Sequence, residues 1–148
     1  MELILWRHAD AEDGRPDAGR KLTAKGAKQA EVMAAWLRER LPEDTAVLVS
    51  PARRAQQTAQ ALSKEFETSQ AIGTATTPEA LLEAAGWPDR KGAVVVVGHQ
   101  PTLGAAAALA LTGSAKQWSL RKGAIWWLER RERDPVTVLR AVISPDLL

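Results

Sequence analysis

The stretch Leu3-Ile4-Leu5-Trp6-Arg7-His8-Ala9-Asp10 decides how the rest of the chain is interpreted. Its first half is apolar and predicts a buried strand, and its second half delivers an arginine, a histidine and an aspartate without a break. A buried strand that ends in charged groups carries them to the rim of a sheet, where open α/β folds bind their ligands. We therefore expect Arg7 and His8 to belong to a ligand site.

The other histidine of the chain follows a second strand of the same kind. The apolar run 93–97 is rich in β-branched residues and predicts a strand buried on both faces, and His99 comes just after it. A third apolar run, 46–49, leads through a serine and a proline to Arg53 and Arg54. Because the carboxyl ends of parallel strands meet at one rim of a sheet, the two histidines and the arginines are expected to converge there.

The segments between these strands have helical patterns of apolar residues. Helices are predicted over residues 24–41, 51–66, 78–85 and 103–111. Ser50 and Pro51 are expected to be the N-cap and first residue of the second helix, and a weak strand is expected at 71–72. The runs 124–129 and 136–143 predict an antiparallel hairpin. Together these elements predict an α/β three-layer sandwich whose central sheet is mostly parallel with an antiparallel edge.

The composition limits which chemistry the chain can perform. Its 148 residues predict a single domain, 1–148, and the absence of cysteine excludes disulfides and thiolate nucleophiles. Two histidines are too few for a histidine-rich metal cluster, whereas the composition leaves a carboxylate-based metal site open. The net charge of +2, with basic residues spread along the chain, does not indicate nucleic acid binding. No signal peptide or membrane span is recognisable, so a cytoplasmic protein that does not bind membranes is expected.

A rim with two arginines and two histidines suits phosphate chemistry. Guanidinium groups bind phosphate oxygens with paired hydrogen bonds, and the N-terminus of a helix that starts at the same rim adds favourable N–H groups. An unprotonated imidazole is a competent nucleophile for phosphoryl transfer. Nearby arginines disfavour protonation of His8 and are therefore expected to keep it nucleophilic.

Four segments resemble the motifs of one superfamily, in the same order along the chain. Arg7-His8-Ala9 is similar to the Arg-His-Gly signature of the histidine phosphatase superfamily, to which phosphoglycerate mutases also belong. Residues 50–58 resemble its Ser-Pro-x-x-Arg-x-x-Gln-Thr motif, and Gly98-His99 resembles its third motif, a strand that ends in Gly/Ser-His. Leu22-Thr23 and Gly26 match the Leu-Thr-x-x-Gly segment that follows the first motif. The short chain looks most like the small SixA-type phosphohistidine phosphatases.

The resemblance implies a phosphoglycerate mutase-like fold and a role for each matching residue. His8 would be the nucleophile that accepts the phosphoryl group and forms a phosphohistidine intermediate. Water would then hydrolyse this intermediate, and no metal or organic cofactor would be needed. Arg7 and Arg54 would hold the phosphate oxygens, and His99 would bind the phosphoryl group and stabilise its charge in the transition state. By motif register the phosphate-binding arginine is Arg54, and Arg53 would face outward.

The resemblance favours a phosphatase that acts on phosphohistidine in a phosphorylated partner protein. One alternative is a phosphatase of small phosphorylated substrates, such as phosphate esters, sugar phosphates, nucleotides or polyphosphate. A second alternative is a non-catalytic phosphate-binding module, and the sequence leaves both of these open. It also leaves open the physiological substrate and the oligomeric state.

The chain departs from the superfamily pattern at two points. Ala9 replaces the usual glycine, and we expect the site to survive with some loss of room. Larger members supply a glutamate as general acid, whereas SixA-type proteins lack it. Glu83 and Asp10 are the candidate proton donors here, and Glu79 is better explained as a partner of a helix dipole.

Overall fold

The computed structural model describes residues 1–148 and contains one sheet of six strands. The strands are β1 (Glu2–Arg7), β2 (Ala46–Val49), β3 (Glu67–Thr68), β4 (Ala93–Gly98), β5 (Ile125–Arg130) and β6 (Thr137–Ile143). They lie in the order β3-β2-β4-β1-β5-β6. The first four strands in this order pair in parallel. Strand β5 pairs antiparallel with β1 on one side and with the edge strand β6 on the other. The mostly parallel sheet with an antiparallel hairpin edge is therefore confirmed.

Helices cover both faces of this sheet. They are α1 (Ala24–Arg38), α2 (Arg53–Gln60), α3 (Pro78–Ala85) and α4 (Thr102–Thr112), with short 3-10 helices at Asp17–Gly19, Gln70–Ile72 and Pro145–Leu147. One apolar cluster joins α3 and α4 to one face of the sheet, and a second joins α1 and α2 to the other. The predicted three-layer sandwich is confirmed. None of the helices has the length and apolar composition that crossing a membrane requires.

The central position of β1 explains its uninterrupted apolar run. Leu3 and Leu5 pack into the cluster on the α3–α4 side, while Ile4 and Trp6 pack into the cluster on the α1–α2 side. Strand β4, between β1 and β2, has all six residues buried. The middle of a strand that is covered on both faces carries apolar side chains. The polar groups of the site therefore follow β1 and β4 at the carboxyl ends of these strands.

Two predicted boundaries near the second helix are wrong. Helix α2 begins at Arg53 with Ala52 as its N-cap, not at Pro51 with Ser50 as the cap. The reason is that Ser50 Oγ is used elsewhere. It accepts a hydrogen bond from the Ala52 N–H (3.2 Å) within the turn, and it also contacts His99. Helix α2 also ends at Gln60 rather than near residue 66.

Two other predicted elements differ from the structure. Helix α1 stops at Arg38 instead of continuing to Leu41, although Leu41 still packs against the core. The segment around Ile72 is a 3-10 helix instead of a strand, and the edge strand is the preceding pair Glu67–Thr68. Ser69 caps this 3-10 turn, and Ile72 is fully buried, so its apolar character reflects packing and not strand pairing.

The segment from Thr23 to Gly26 ties helix α1 to the end of β1. Thr23 caps α1, as predicted, by accepting a hydrogen bond at Oγ1 from the Gly26 N–H (3.0 Å). The Thr23 N–H in turn donates to the Asp10 carbonyl (3.0 Å). A Cβ atom on Gly26 would lie 1.9 Å from that carbonyl oxygen, so only glycine allows the close approach.

Replacing Gly26 with alanine is expected to destabilise the protein. In an unobstructed helix this change is favourable by about 1 kcal/mol. Here the new methyl group forces the Asp10 carbonyl away, and we expect a net loss of about 1–3 kcal/mol in the free energy of unfolding. Urea unfolding of Gly26→Ala measures this loss. Gly19→Ala is the control, because its Cβ would meet only Pro16 at 3.6 Å; equal stability of the two variants contradicts the interpretation.

Candidate active site

The site lies where three parallel strands end side by side. Arg7, the last residue of β1, is paired in register with Gly98, the last residue of β4. His8 and His99 therefore follow neighbouring strands, and their ring centroids are 5.2 Å apart. Ser50 follows β2 on the other side of β4. The structure thus brings together the chain ends that the sequence predicts to share a rim.

His8 is oriented by the backbone next to it. Its Nδ1 lies 2.8 Å from the Ala9 carbonyl oxygen, and the residue is 6% exposed. A carbonyl oxygen only accepts hydrogen bonds, so Nδ1 carries the proton in the neutral ring. The lone pair of that tautomer is on Nε2, which makes no hydrogen bond within the protein. The geometry therefore presents Nε2 as the nucleophilic atom of His8.

The surroundings of His8 keep it unprotonated. Burial lowers its pKa; the Ala9 carbonyl opposes this, but the positive charges of Arg54, Arg7 and Arg20 lower the pKa further, to about 4. The predicted effect of the arginines is present, although burial contributes more than charge. The imidazole is consequently neutral at pH 7.

His99 is a second neutral imidazole in the same site. Its Nε2 lies 2.7 Å from Ser50 Oγ, and its Nδ1 lies 3.5 Å from Arg54 Nη2. The guanidinium can only donate, so Nδ1 is the acceptor and the Nε2–H donates to the Ser50 hydroxyl. Burial, followed by the nearby His8 and Arg54, lowers the pKa of His99 to about 3.

Two arginines complete the site, and each has one buried N–H group without an acceptor. Arg54 is 5% exposed; its Nη1 donates to the Asp17 carbonyl (2.9 Å), and its Nη2 lies 3.2 Å from Asp17 Oδ2. Arg7 Nη1 donates to the Leu120 carbonyl (2.7 Å). The Nε atoms of Arg7 and Arg54 are buried and unpaired. Buried donors without an acceptor are rare in folded proteins.

Comparison with known proteins identifies the family. The model of the histidine phosphatase superfamily (branch 1) matches residues 3–83. An uncharacterised protein of Picosynechococcus sp. is 34% identical over 138 residues, which cover 84% of this chain and 82% of that protein. The chain belongs to the histidine phosphatase superfamily. It is thus a phosphatase by family, and the resemblance predicted from its motifs is confirmed.

Within this superfamily, the phosphatase is similar to SixA proteins. Phosphohistidine phosphatase SixA of Escherichia coli is 42% identical over 59 residues, which cover 39% of this chain and 37% of that protein. The solved structure of the protein histidine phosphatase SixA complexed with tungstate covers 99% of both chains, with a TM-score of 0.81 and 25% identity. A phosphoserine phosphatase of Entamoeba histolytica, 18% identical, shares the fold over 99% of this chain and 98% of its own, with a TM-score of 0.74.

Ala9 fits this phosphatase without backbone strain. Its N–H donates to Thr58 Oγ1 (3.0 Å), and the Thr58 hydroxyl donates to the Arg54 carbonyl (2.8 Å). No residue other than glycine has a positive φ, so Ala9 has a conformation open to any L-residue. Its methyl group is fully buried. The conformational reason for a glycine at this position therefore does not apply to this chain.

The candidate proton donors lie apart from the two histidines. Asp10 Oδ1 is 2.9 Å from Lys122 Nζ, and its Oδ2 accepts from the Thr23 hydroxyl (2.7 Å). Both hydrogen bonds, that from Lys122 foremost, lower the pKa of Asp10 below its ordinary value. Glu83 and Glu79 are exposed on α3, and neither side chain forms a hydrogen bond. No contact joins any of these carboxylates to His8 or His99.

Two residues of the site were not predicted to belong to it. Asp17 reaches Arg54 from the polar loop between β1 and α1, and Ser50 holds His99. Asp17 is one of four acidic residues in that loop, and no spacing distinguishes it from the other three. Ser50 lies within a recognised motif, but its side chain was interpreted as a helix cap. The motif could have indicated a site role for Ser50, whereas nothing local could have done so for Asp17.

Both histidines are expected to remain neutral across the physiological pH range. Because their pKa values are lowered to about 4 and about 3, neither ring should take up a proton as the pH falls from 8 to 5. The chain has only these two histidines, so ¹H–¹⁵N NMR of the imidazoles assigns them directly. His8 should also show the Nδ1–H tautomer. A His8 midpoint near pH 6.5 contradicts the proposed environment.

Proposed function

We propose that this protein hydrolyses phosphohistidine in a partner protein, with His8 as the nucleophile and residues 1–148 as one catalytic domain. The observation that carries the proposal is a neutral imidazole, free at Nε2, beside Arg54 and Arg7, whose charges add to burial in lowering the pKa of His8. Because both arginines are close enough to act on the charge of His8, an anion that they hold would lie near its ring. The similarity to SixA, whose structure holds tungstate, an oxyanion, supports the same interpretation.

In the first step, the lone pair on His8 Nε2 attacks the phosphorus and the P–N bond of the substrate breaks. When the substrate imidazole is protonated on its other ring nitrogen, it leaves as neutral imidazole and needs no further proton. The phosphorylated His8 ring then carries a positive charge, which its Nδ1–H shares with the Ala9 carbonyl. Arg7 and Arg54 hold the phosphoryl oxygens and stabilise their charge, and His99 joins them when its Nε2–H turns from Ser50 to a phosphoryl oxygen.

In the second step, a water molecule attacks the phosphorus of phospho-His8. A P–O bond forms, the P–Nε2 bond breaks, and both protons of the water leave on the released phosphate. His8 returns to its neutral Nδ1–H form, ready for the next cycle. No metal or organic cofactor enters this sequence, because both leaving groups are imidazoles and the arginines supply the positive charge.

The positions of the carboxylates favour phosphohistidine over phosphate esters. An alcohol leaving group needs a proton from a general acid, whereas a protonated imidazole does not. Asp10 is held by Lys122 and Thr23, and Glu83 is exposed on α3. A small phosphate ester is the second candidate substrate, favoured by the shared fold with the phosphoserine phosphatase.

A substrate panel distinguishes these functions. The purified protein should release phosphate from a phosphohistidine protein faster than from sugar phosphates or phosphoserine, and His8→Ala should abolish turnover because the attacking atom is gone. Reactions with ³²P-labelled substrate that are quenched with alkaline denaturant, in which phosphohistidine survives, should trap label on the wild-type protein and none on His8→Ala. Preference for an ester favours the small-molecule alternative. Binding of phosphate with no turnover of any substrate favours the non-catalytic module.

Two neighbouring arginines test the assignment of the phosphate-binding residue. Arg54→Ala should lower kcat/KM by about 10²–10³-fold, the range for losing a charged donor to the transition state. Arg53→Ala is the matched control, because Arg53 is exposed on the same turn of α2, and it should change kcat/KM by about twofold or less. Steady-state kinetics measure both variants. Losses of equal size would contradict the assignment of Arg54.

A further inference from the structure

A cavity of about 270 Å³ has two wall residues, Asp17 and Ser50, that contact Arg54 and His99 of the site. Its walls come from Asp17 and Ala18, from residues 50–52, and from the segment 70–75. A substrate whose phosphoryl group is held by Arg54 therefore lies close to Asp17, a wall residue of this cavity.

Asp17 is the one charged residue in the walls of this cavity. Its side chain is 61% exposed, and its two oxygens contact different arginines. Oδ1 lies 3.2 Å from Arg20 Nη1, and Oδ2 lies 3.2 Å from Arg54 Nη2. The carboxylate is thus held at a defined place between the cavity and the phosphate-binding arginine.

The loop that carries Asp17 is closed at its base. Ala11 and Leu22 form a bridge, and the Glu12 N–H donates to the Lys21 carbonyl (2.8 Å). Arg20 Nε donates to the Glu12 carbonyl (2.9 Å), which fixes the arginine that holds Asp17 Oδ1. This network keeps the carboxylate at the cavity instead of leaving it on a free loop.

Asp17 is ionised in the working pH range. Partial burial raises its pKa, but the charge and hydrogen bond of Arg54, together with Arg20, outweigh burial and bring the pKa below its ordinary value. A fixed negative charge attracts a cationic leaving group and repels an anionic one. It also offsets part of the positive charge that Arg54 offers to a phosphate.

We propose that Asp17 is a specificity-determining residue that selects substrates by the charge of the group attached to phosphorus. It favours phosphoramidates in which the imidazole bonded to phosphorus is protonated, and it disfavours phosphate esters that carry a second negative charge next to the phosphate. The inference deepens the proposed function, because a protonated phosphohistidine is the substrate that this charge suits. It explains how an open, arginine-rich site avoids binding every phosphorylated anion.

The variant Asp17→Asn removes the charge and keeps the size of the side chain. Two phosphate esters form a matched pair of probes, since glycerol 3-phosphate has a neutral hydroxymethyl group where 3-phosphoglycerate has a carboxylate. For each protein, the kcat/KM for 3-phosphoglycerate is divided by the kcat/KM for glycerol 3-phosphate. In Asp17→Asn this ratio should rise by about threefold to fivefold, the range for a partly screened charge pair. The kcat/KM for phosphoimidazole should fall by a similar factor, because the imidazolium loses its counter-ion.

Asp13→Asn is the matched control, because Asp13 is exposed in the same loop and its side chain forms no hydrogen bond. It should leave every ratio unchanged. The inhibition constant of inorganic phosphate separates the proposal from a purely structural role. Removing a negative charge beside Arg54 should tighten phosphate inhibition in Asp17→Asn, whereas a loosened Arg54 would weaken it. Weakened inhibition, or ester ratios that match wild type, overturns the inference.

Failure of this inference is distinguishable from failure of the proposed function. Calorimetric binding of the two esters to His8→Ala, with and without Asp17→Asn, measures the charge selection when no turnover occurs. If the wild-type protein hydrolyses no substrate but Asp17→Asn still shifts the binding ratio, the proposed function fails and the charge selection stands. If the wild-type protein hydrolyses phosphohistidine and the binding ratio does not shift, the charge selection fails alone.

Discussion

The parallel pairing of β1 with β4 is the constraint on which the site depends. Arg7 and Gly98 lie opposite each other at the last position of the ladder, so the residues that follow them leave the sheet side by side. This places two imidazoles 5.2 Å apart although 91 positions separate them in the sequence. A shift of one residue in the register would move every side chain of β1 to the opposite face and destroy both apolar clusters. The packing of the core therefore fixes the geometry of the site.

The same burial that stabilises the fold also adjusts the chemistry of the site. Two imidazoles at the rim are surrounded by buried strands and by arginines, and their pKa values fall well below that of a free histidine. The neutral state of His8 therefore follows from desolvation and positive charge together. The tautomer, in contrast, depends on one local contact, the hydrogen bond between Nδ1 and the Ala9 carbonyl. Nucleophilicity and orientation thus have separate physical origins in this protein.

The sequence by itself determined the fold class, five of the six strands to within a residue at their ends, and the family. Apolar runs of strand length, helical periodicity and turn residues are local signals, and each follows from residues close together in the chain. The predicted convergence of Arg7, His8, Arg54 and His99 agrees with the structure because one rule, that parallel strands share a rim, links the local signals. The helix start near Ser50 and the segment around Ile72 were predicted wrongly, because their side chains make tertiary contacts that override local preference.

Only the tertiary structure decided which polar groups meet at the site. It paired Asp17 with Arg54, Ser50 with His99, and Asp10 with Lys122, and it left the Nε atoms of Arg7 and Arg54 without acceptors. Each of these pairs joins residues far apart in the sequence, and a charge on a polar loop carries no periodic signal of its partner. Hydrogen bonds and ion pairs act over a few ångströms, so the folded positions of the loops decide them.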